Sequence, residues 1–136
     1  MKIFITASKQ FYDKVAEVKA ALEKKGHLVT PPNGFDEPDK ENEMKDVSPR
    51  AHQQWKAEMI RTDGKIVAAN DAILVLNFEK HGQLNYIGGA TFLEMFKAFE
   101  LNKKIYLYNP VPDGMLTDEI LGFGPIVING NLTKIK

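Results

Sequence analysis

The sequence predicts an α/β protein with a doubly wound, five-stranded parallel sheet, flavodoxin- or Rossmann-like in its order 2-1-3-4-5, within three α/β/α layers. Short β-rich runs alternate along the chain with segments of helical spacing. The run at residues 73–76 is continuously apolar, which is typical of a strand covered on both faces. The length of 136 residues, with 43% hydrophobic and 26% charged residues, predicts one domain over residues 1–136.

The first three predicted elements are a strand, a helix and a strand. Residues 3–6 are a short β-rich run. Residues 11–25 follow with apolar positions at steps of three and four, which form one face of a helix that ends at Gly26. Residues 27–30 are the second strand, and it stops at Pro31 because proline cannot donate a hydrogen bond to the sheet.

The middle of the chain predicts a loop, a long helix and the central strand. Residues 34–47 contain glycine and proline breaks and many charges, so they are predicted to be a loop. The second helix begins near Ser48, a suitable cap, with Pro49 at the first helical position, and it runs to about residue 69. Residues 73–76 then form the third strand.

The last part of the chain completes the alternation. Residues 78–89 are polar and contain glycines, and a third helix is predicted from about residue 90 to residue 101. This helix is expected to bury three phenylalanines at helical spacing, Phe92, Phe96 and Phe99. The remaining predicted elements are strands at residues 105–108 and 126–128 and a short helical stretch around residues 117–121.

Composition and charge exclude several classes of function. Eighteen basic and 18 acidic residues give a net charge of zero, which argues against a dedicated nucleic-acid binder. Without cysteine, the chain has no disulfide and no thiolate nucleophile or ligand. The three histidines lack metal-site spacing, and we expect neither a metal nor a cofactor. No apolar run is long enough for a signal peptide or a membrane span, so we expect a cytoplasmic protein without a membrane partner.

The zero net charge hides an uneven distribution. Residues 36–46 hold six acidic residues and two lysines, a local charge of −4, which leaves +4 on the rest of the chain. A mildly basic body suits a small anionic substrate. The acidic segment is either a lid or simply solvated, and we favour the solvated interpretation.

Ligands of doubly wound sheets bind at the carboxyl ends of the strands, where the strand order reverses. Here that position lies at the loops after the first and third strands. Ser8 and Lys9 in the first loop are candidate anion-binding residues. Gly88 and Gly89 precede a helix, whose first backbone amides can bind an anion, although a tight strand-to-helix turn explains the two glycines equally well.

Two carboxylates are candidates for chemistry. Glu94 completes the pattern Thr91-x-x-Glu94, which favours a structural capping box. The alternative is an ionised carboxylate that attacks a sugar carbon or shields the positive charge developing there. Asp63 lies mid-helix and belongs either to an exposed face or to a site. The core face of its helix is predicted to consist of residues that a base pocket would also use, Trp55, Met59 and Ile60.

Taken together, these stretches resemble the nucleoside 2-deoxyribosyltransferase superfamily, including its 2'-deoxynucleoside 5'-monophosphate N-glycosidase branch. The resemblance covers most of residues 1–109. The matching stretches are residues 3–8 (IFITAS), Asp63 with seven residues before Asp71-Ala-Ile-Leu-Val, and residues 88–94 (GGATFLE). The chain departs from the family in its longer loop before Glu94 and in Met95-Phe96, where the family has Leu-Gly.

The resemblance implies specific roles. Glu94 corresponds to the nucleophile that attacks C1' of the deoxyribose, and Asp63 to the residue that contacts the base and helps it leave. The substrate-binding residues that it implies are Phe4, Ser8, Lys9, Met59, Gly88, Gly89 and Thr91. It also implies a small nucleoside or nucleotide as substrate and a homodimer or higher homo-oligomer. The anion site favours a monophosphate and hydrolysis over transfer to a second base.

Two other functions are compatible with the sequence. One is a non-catalytic nucleotide-binding or sensor domain on the same scaffold. A more remote one is an NAD glycohydrolase of the Toll/interleukin-receptor type, which also relies on a glutamate in an α/β fold.

Overall fold

The computed structural model describes all 136 residues and contains an all-parallel sheet in the order β2-β1-β3-β4-β5, which confirms the predicted fold. The strands are β1 (Lys2–Thr6), β2 (Leu28–Thr30), β3 (Ala72–Val75), β4 (Lys104–Leu107) and β5 (Ile126–Val127). The helices are α1 (Tyr12–Lys24), α2 (Lys40–Val47), α3 (Pro49–Ala68), α4 (Gly89–Glu100) and α5 (Thr117–Gly122). None of these helices combines the length and the apolar composition that crossing a bilayer requires.

The two faces of the sheet carry separate hydrophobic clusters because side chains alternate between the faces of each strand. On one face, Ile3 and Ile5 of β1 pack with residues of α1. On the other, Phe4 packs with Met95 and Ala98 of α4. Every residue of β3 is buried, as its continuously apolar sequence predicts.

Residues 40–47 form helix α2, so the prediction of a loop throughout residues 34–47 was wrong. Glu41 and Glu43 in the first turn of α2 and Lys45 in its last turn complement the helix dipole. No residue of α2 is buried. The helix therefore lacks the apolar periodicity by which the sequence reveals the others, and it forms alongside α3.

Helix α3 begins as predicted, because the Ser48 Oγ accepts a hydrogen bond from the backbone N–H of Ala51 at 3.0 Å. Its predicted core face was wrong. Val67 is the one buried residue of α3. The residues expected in the core instead line a cleft, where they are partly buried or exposed: Trp55, Met59 and Ile60.

Helix α4 is present, but the prediction that it buries three phenylalanines was wrong. Phe96 and Phe99 are 47% and 48% exposed. Together with the partly buried Phe92 they surround Phe123, at ring-centroid distances of 5.4 to 6.5 Å. The face that α4 turns to the sheet consists of Thr91, Glu94, Met95 and Ala98. The periodicity of the phenylalanines therefore identified the helix correctly, but the face that packs on the sheet is the adjacent one.

Candidate active site

A cleft of about 370 Å³ lies at the carboxyl edge of the sheet, which is a suitable volume for a small organic ligand. The loops after β1 and β2, helix α3 and the N-terminus of α4 form its walls. Most residues that the sequence singled out line it: Ser8, Lys9, Met59, Asp63, Gly88, Gly89, Thr91 and Glu94.

Phe4 is the exception among the predicted site residues. It is fully buried in the hydrophobic cluster beneath α4 and does not line the cleft. Phe4 shares a face of β1 with Thr6, but it lies two residues further from the carboxyl edge of the sheet. Thr6 therefore reaches the cleft, whereas Phe4 packs in the core.

Glu94 is held at the bottom of the cleft by residues of β1 and α4. Its side chain is 7% exposed, and its Oε1 accepts a hydrogen bond from the Thr6 Oγ1 at 2.8 Å. The Thr6 Oγ1 also lies 3.2 Å from the Thr91 Oγ1. Neither Thr91 nor Glu94 caps the helix, whose N-cap is Gly88 without a side-chain hydrogen bond. The capping-box interpretation was therefore wrong.

The environment of Glu94 strongly favours its neutral form. Burial raises the pKa of its carboxyl to about 8, and the negative charge of Asp63 acts in the same direction. The hydrogen bond from Thr6 opposes this shift only in part. Glu94 is therefore mostly protonated at neutral pH.

Asp63 faces the same cleft from helix α3. It is half-buried, and its Oδ1 accepts a hydrogen bond from the Asn33 Nδ2 at 3.0 Å. Burial raises the pKa of Asp63 to about 6, against the opposing effects of Asn33 and Lys56. Two carboxyls with raised pKa values thus share one cleft, an arrangement that is frequent where carboxyls act as nucleophile and acid.

Other residues that line the cleft offer hydrogen-bond donors. The Lys80 Nζ donates to the Ser8 Oγ at 3.0 Å and lies 4.7 Å from the centre of the Tyr86 ring. Helix α4 has no side-chain cap, so its first N–H groups remain available to an anion. A β-carbon on Gly89 would meet no atom within 4 Å, which shows that the space beside this turn is open.

Several lining residues were missed by sequence reasoning. Asn33 follows β2, whereas the strand order predicts the ligand site at the loops after β1 and β3. Lys80 lies in the loop after β3, where a ligand site was predicted, but nothing in the sequence distinguishes it from the other lysines. Tyr12 was missed as well, because it lies in the first turn of an amphipathic helix.

Glu41 of α2 also lines the cleft, so the acidic segment is not merely solvated. Its Oε2 accepts hydrogen bonds from the His52 Nε2 at 2.8 Å and from the Lys56 Nζ at 2.9 Å. Burial alone would raise the pKa of Glu41, but these two bonds, together with the positive charges of Lys56 and Lys45, outweigh it and lower the pKa to about 2. Helix α2 is thereby anchored to α3 at the rim of the cleft.

The fold and the cleft define a doubly wound α/β protein with a carboxyl pair at the carboxyl edge of its sheet. No family model matches the sequence, and a search of curated proteins gives no match. Among solved structures, the chain is similar to the CMP N-glycosidase BcmB of Clostridium botulinum, with a TM-score of 0.55 and 18% identity. The match covers 95% of this chain and 90% of that one. At this identity the likeness concerns the fold.

Proposed function

We propose that this protein cleaves the N-glycosidic bond of 2'-deoxynucleosides or their 5'-monophosphates and belongs to the nucleoside 2-deoxyribosyltransferase superfamily. The observation that carries the proposal is the convergence of Glu94 and Asp63, from two different helices, on one cleft of ligand size. The motif resemblance and the likeness in fold to a nucleotide N-glycosidase support it.

The proposed reaction is a double displacement. The ionised carboxylate of Glu94 attacks C1' of the sugar while the bond from C1' to the base nitrogen breaks. Asp63 gives its proton to the departing base, directly or through a water. The covalent ester on Glu94 is then hydrolysed by water, which leaves C1' with its original configuration. A second base in place of that water would complete a transfer reaction instead.

Thr6 has a positioning role in this scheme. Its hydroxyl donates to one oxygen of Glu94, which fixes the carboxylate and leaves the other oxygen for C1'. Since Thr6 is fixed in β1, the nucleophile is oriented by the sheet rather than by a loop.

A 5'-monophosphate hydrolysed by water is the reaction that we favour. Ser8, Lys9 and Lys80 line the same cleft as the uncapped N-terminus of α4. A phosphate there would gain charge-assisted hydrogen bonds that a nucleoside hydroxyl does not make. Lysine in place of the arginine of the nucleotide-hydrolysing branch would supply a charge without a bidentate contact.

Base release measured by chromatography tests the proposal. The protein is incubated with 2'-deoxynucleosides, with their 5'-monophosphates and with NAD. Wild type should release the base from the monophosphate faster than from the nucleoside. Glu94→Gln should release it at least about 1000-fold more slowly, because the nucleophile is gone. Glu100→Gln is the matched control, since this glutamate is exposed at the end of the same helix and should leave the rate unchanged.

A non-catalytic nucleotide-binding domain is the second candidate, and the protonated state of Glu94 favours it, because a neutral carboxyl is a poor nucleophile. It predicts nucleotide binding without turnover and unchanged binding in Glu94→Ala. Release of no base from any substrate, or equal release by wild type and Glu94→Gln, would contradict the proposed reaction. Nicotinamide release from NAD would instead indicate a glycohydrolase of the Toll/interleukin-receptor type.

A further inference from the structure

Tyr12, the first residue of α1, lines the cleft and has no place in the reaction described above. Its ring packs edge-on against Phe35, with the ring centroids 5.5 Å apart, which fixes the ring in place. A β-carbon on Gly34 would lie 3.2 Å from the Tyr12 hydroxyl and 3.9 Å from the Met59 Cε. The hydroxyl therefore lies where Gly34 and Met59 meet.

This position belongs to the base end of the cleft. Gly34 follows Asn33, whose amide donates both to Asp63 and to the sulfur of Met59, at 3.0 and 3.4 Å. In the proposed reaction Asp63 protonates the leaving base, so the base must lie beside Asp63 and its neighbours. The Tyr12 hydroxyl lies next to these same residues.

The Tyr12 hydroxyl is a donor without a partner inside the protein. The hydrogen bonds of the surrounding polar groups do not include it and join Thr6 to Glu94, Asn33 to Asp63, and Glu41 to His52 and Lys56. Every fully buried polar side-chain atom in the structure has a hydrogen-bond partner. Since the Tyr12 hydroxyl has none, it must be accessible to solvent. It is therefore available to a molecule in the cleft.

The charges around the hydroxyl keep its proton in place. Burial and the negative charges of Glu94, Asp63 and Glu41 raise the pKa of Tyr12 to about 12. These carboxylates act through charge and not through a hydrogen bond to the tyrosine. Tyr12 thus presents a protonated hydroxyl, able to donate, beside the carboxyls of the cleft.

We propose that Tyr12 determines base specificity by donating a hydrogen bond from its hydroxyl to a carbonyl oxygen of the base. This inference rests on the proposed function, because it needs the base beside Asp63. A carbonyl oxygen accepts from the hydroxyl, whereas an exocyclic amino group at the same place could bind only by donating to the hydroxyl oxygen, with the O–H turned away from the base. A base that carries a carbonyl at this place is therefore favoured over one, such as adenine, that carries an amino group there.

Equilibrium binding in the Glu94→Gln background tests the inference without turnover. The ligands are the 5'-monophosphates of 2'-deoxyinosine and 2'-deoxyadenosine, which differ chiefly in a carbonyl against an amino group, together with those of thymidine and 2'-deoxycytidine. The inosine and thymidine nucleotides carry a carbonyl where the adenine and cytosine nucleotides carry an amino group, so adding Tyr12→Phe should weaken binding of the first two about tenfold and should change the other two less than about twofold. Tyr108→Phe, outside the cleft, is the matched control and should change neither.

The outcome separates this inference from the proposed function. Equal weakening of all four nucleotides, or no weakening of any of them, overturns the role of Tyr12 even if wild type releases base. Selective weakening in a protein that releases no base supports Tyr12 as a specificity residue and contradicts the catalytic proposal. An unchanged melting temperature of Tyr12→Phe would show that the ring alone maintains its contact with Phe35.

Discussion

Glu94 and Asp63 together carry one proton at neutral pH. Their pKa values of about 8 and 6 mean that between these pH values the pair carries one proton. The proposed reaction uses the form in which that proton is on Asp63 and Glu94 is ionised. This form is a minority of the singly protonated pair, and a bound substrate must stabilise it.

A bell-shaped pH dependence of kcat/KM is the consequence. The activity should rise through about pH 6, as the doubly protonated pair loses its first proton, and fall through about pH 8, as the acid is lost. Initial rates of base release from about pH 5 to about pH 10 measure this profile. A rate that stays constant over that interval would show that the reaction does not depend on the shared proton.

The variant Asp63→Asn separates the two limbs of the profile. Its alkaline limb should disappear, because no acid remains to be lost. The pKa of Glu94 should fall below its value of about 8, since the charge of Asp63 no longer raises it. The remaining rate should be about 100-fold to 10,000-fold lower, which is the usual contribution of a general acid. A wild-type rate that keeps rising above about pH 8 would contradict the role of Asp63 as an acid.

The sequence predicted single residues of the site only where neighbouring residues form a recognisable pattern. The spacing of Thr91 and Glu94 favours a capping box over a catalytic motif, and the contact that decides against it is with Thr6, 88 residues away from Glu94. Asn33 and Tyr12 acquire their roles through contacts of the same long-range kind. Spacing alone left the roles of Asp63 and Glu94 open, and the roles proposed for them come from the family resemblance.

At the scale of elements, the sequence predicted every strand and four of the five helices, because each has a local signal. The apolar run of β3 and the serine–proline start of α3 are examples. Helix α2 was missed because none of its residues is buried. The contacts that hold it run from Glu41 to His52 and Lys56 of α3, which are too far away in sequence to give a local pattern. A helix stabilised by charge and by a neighbouring helix leaves no periodic trace.

Helix α4 has an exposed apolar face, and we expect a second copy of the chain to cover it. Leu93, Phe96 and Phe99 are all close to half exposed. A groove between α3 and α4 includes Leu93 and Phe96 and also borders Asp63 and Glu94. A partner there would bury apolar surface beside the carboxyl pair.

The substitution Phe96→Lys tests this expectation. Analytical ultracentrifugation should show a dimer or larger oligomer for wild type and a monomer for the variant at the same concentration, because a lysine in an apolar contact is costly. Val47→Lys, at an exposed apolar residue on α2, is the control and should keep the wild-type state. A monomeric wild type would contradict the expectation.

For the whole molecule, the net charge of zero conceals a separation of acidic and basic groups around the cleft. The acidic segment that contains α2 runs along the rim of the cleft, whereas Ser8, Lys9 and Lys80 supply donors within it. The net charge of the chain argues against a polyanion partner, but it does not show where the acidic and basic groups lie. Location required the fold, which brings residues 8, 41 and 80 to the same cleft.

The buried carboxyl of Glu94 should also make the stability of the whole chain depend on pH. Its pKa is about 8 in the folded protein against an ordinary value of 4.5, so the folded state binds its proton more tightly than the unfolded state does. This contribution to stability is fully present below the unfolded pKa and is lost as the pH rises through the folded one. One pKa unit corresponds to about 1.4 kcal/mol, so the loss amounts to several kcal/mol.

Urea unfolding of wild type and Glu94→Gln at about pH 5 and about pH 9 measures this loss. The glutamine side chain keeps the shape and cannot ionise, so the variant should gain stability relative to wild type as the pH rises. Glu100→Gln should track wild type at both pH values, because this carboxyl is exposed. If the difference between wild type and Glu94→Gln were the same at both pH values, Glu94 would not be held in its neutral form. The bell-shaped rate profile would then lose its physical basis as well, since both predictions depend on the same buried proton.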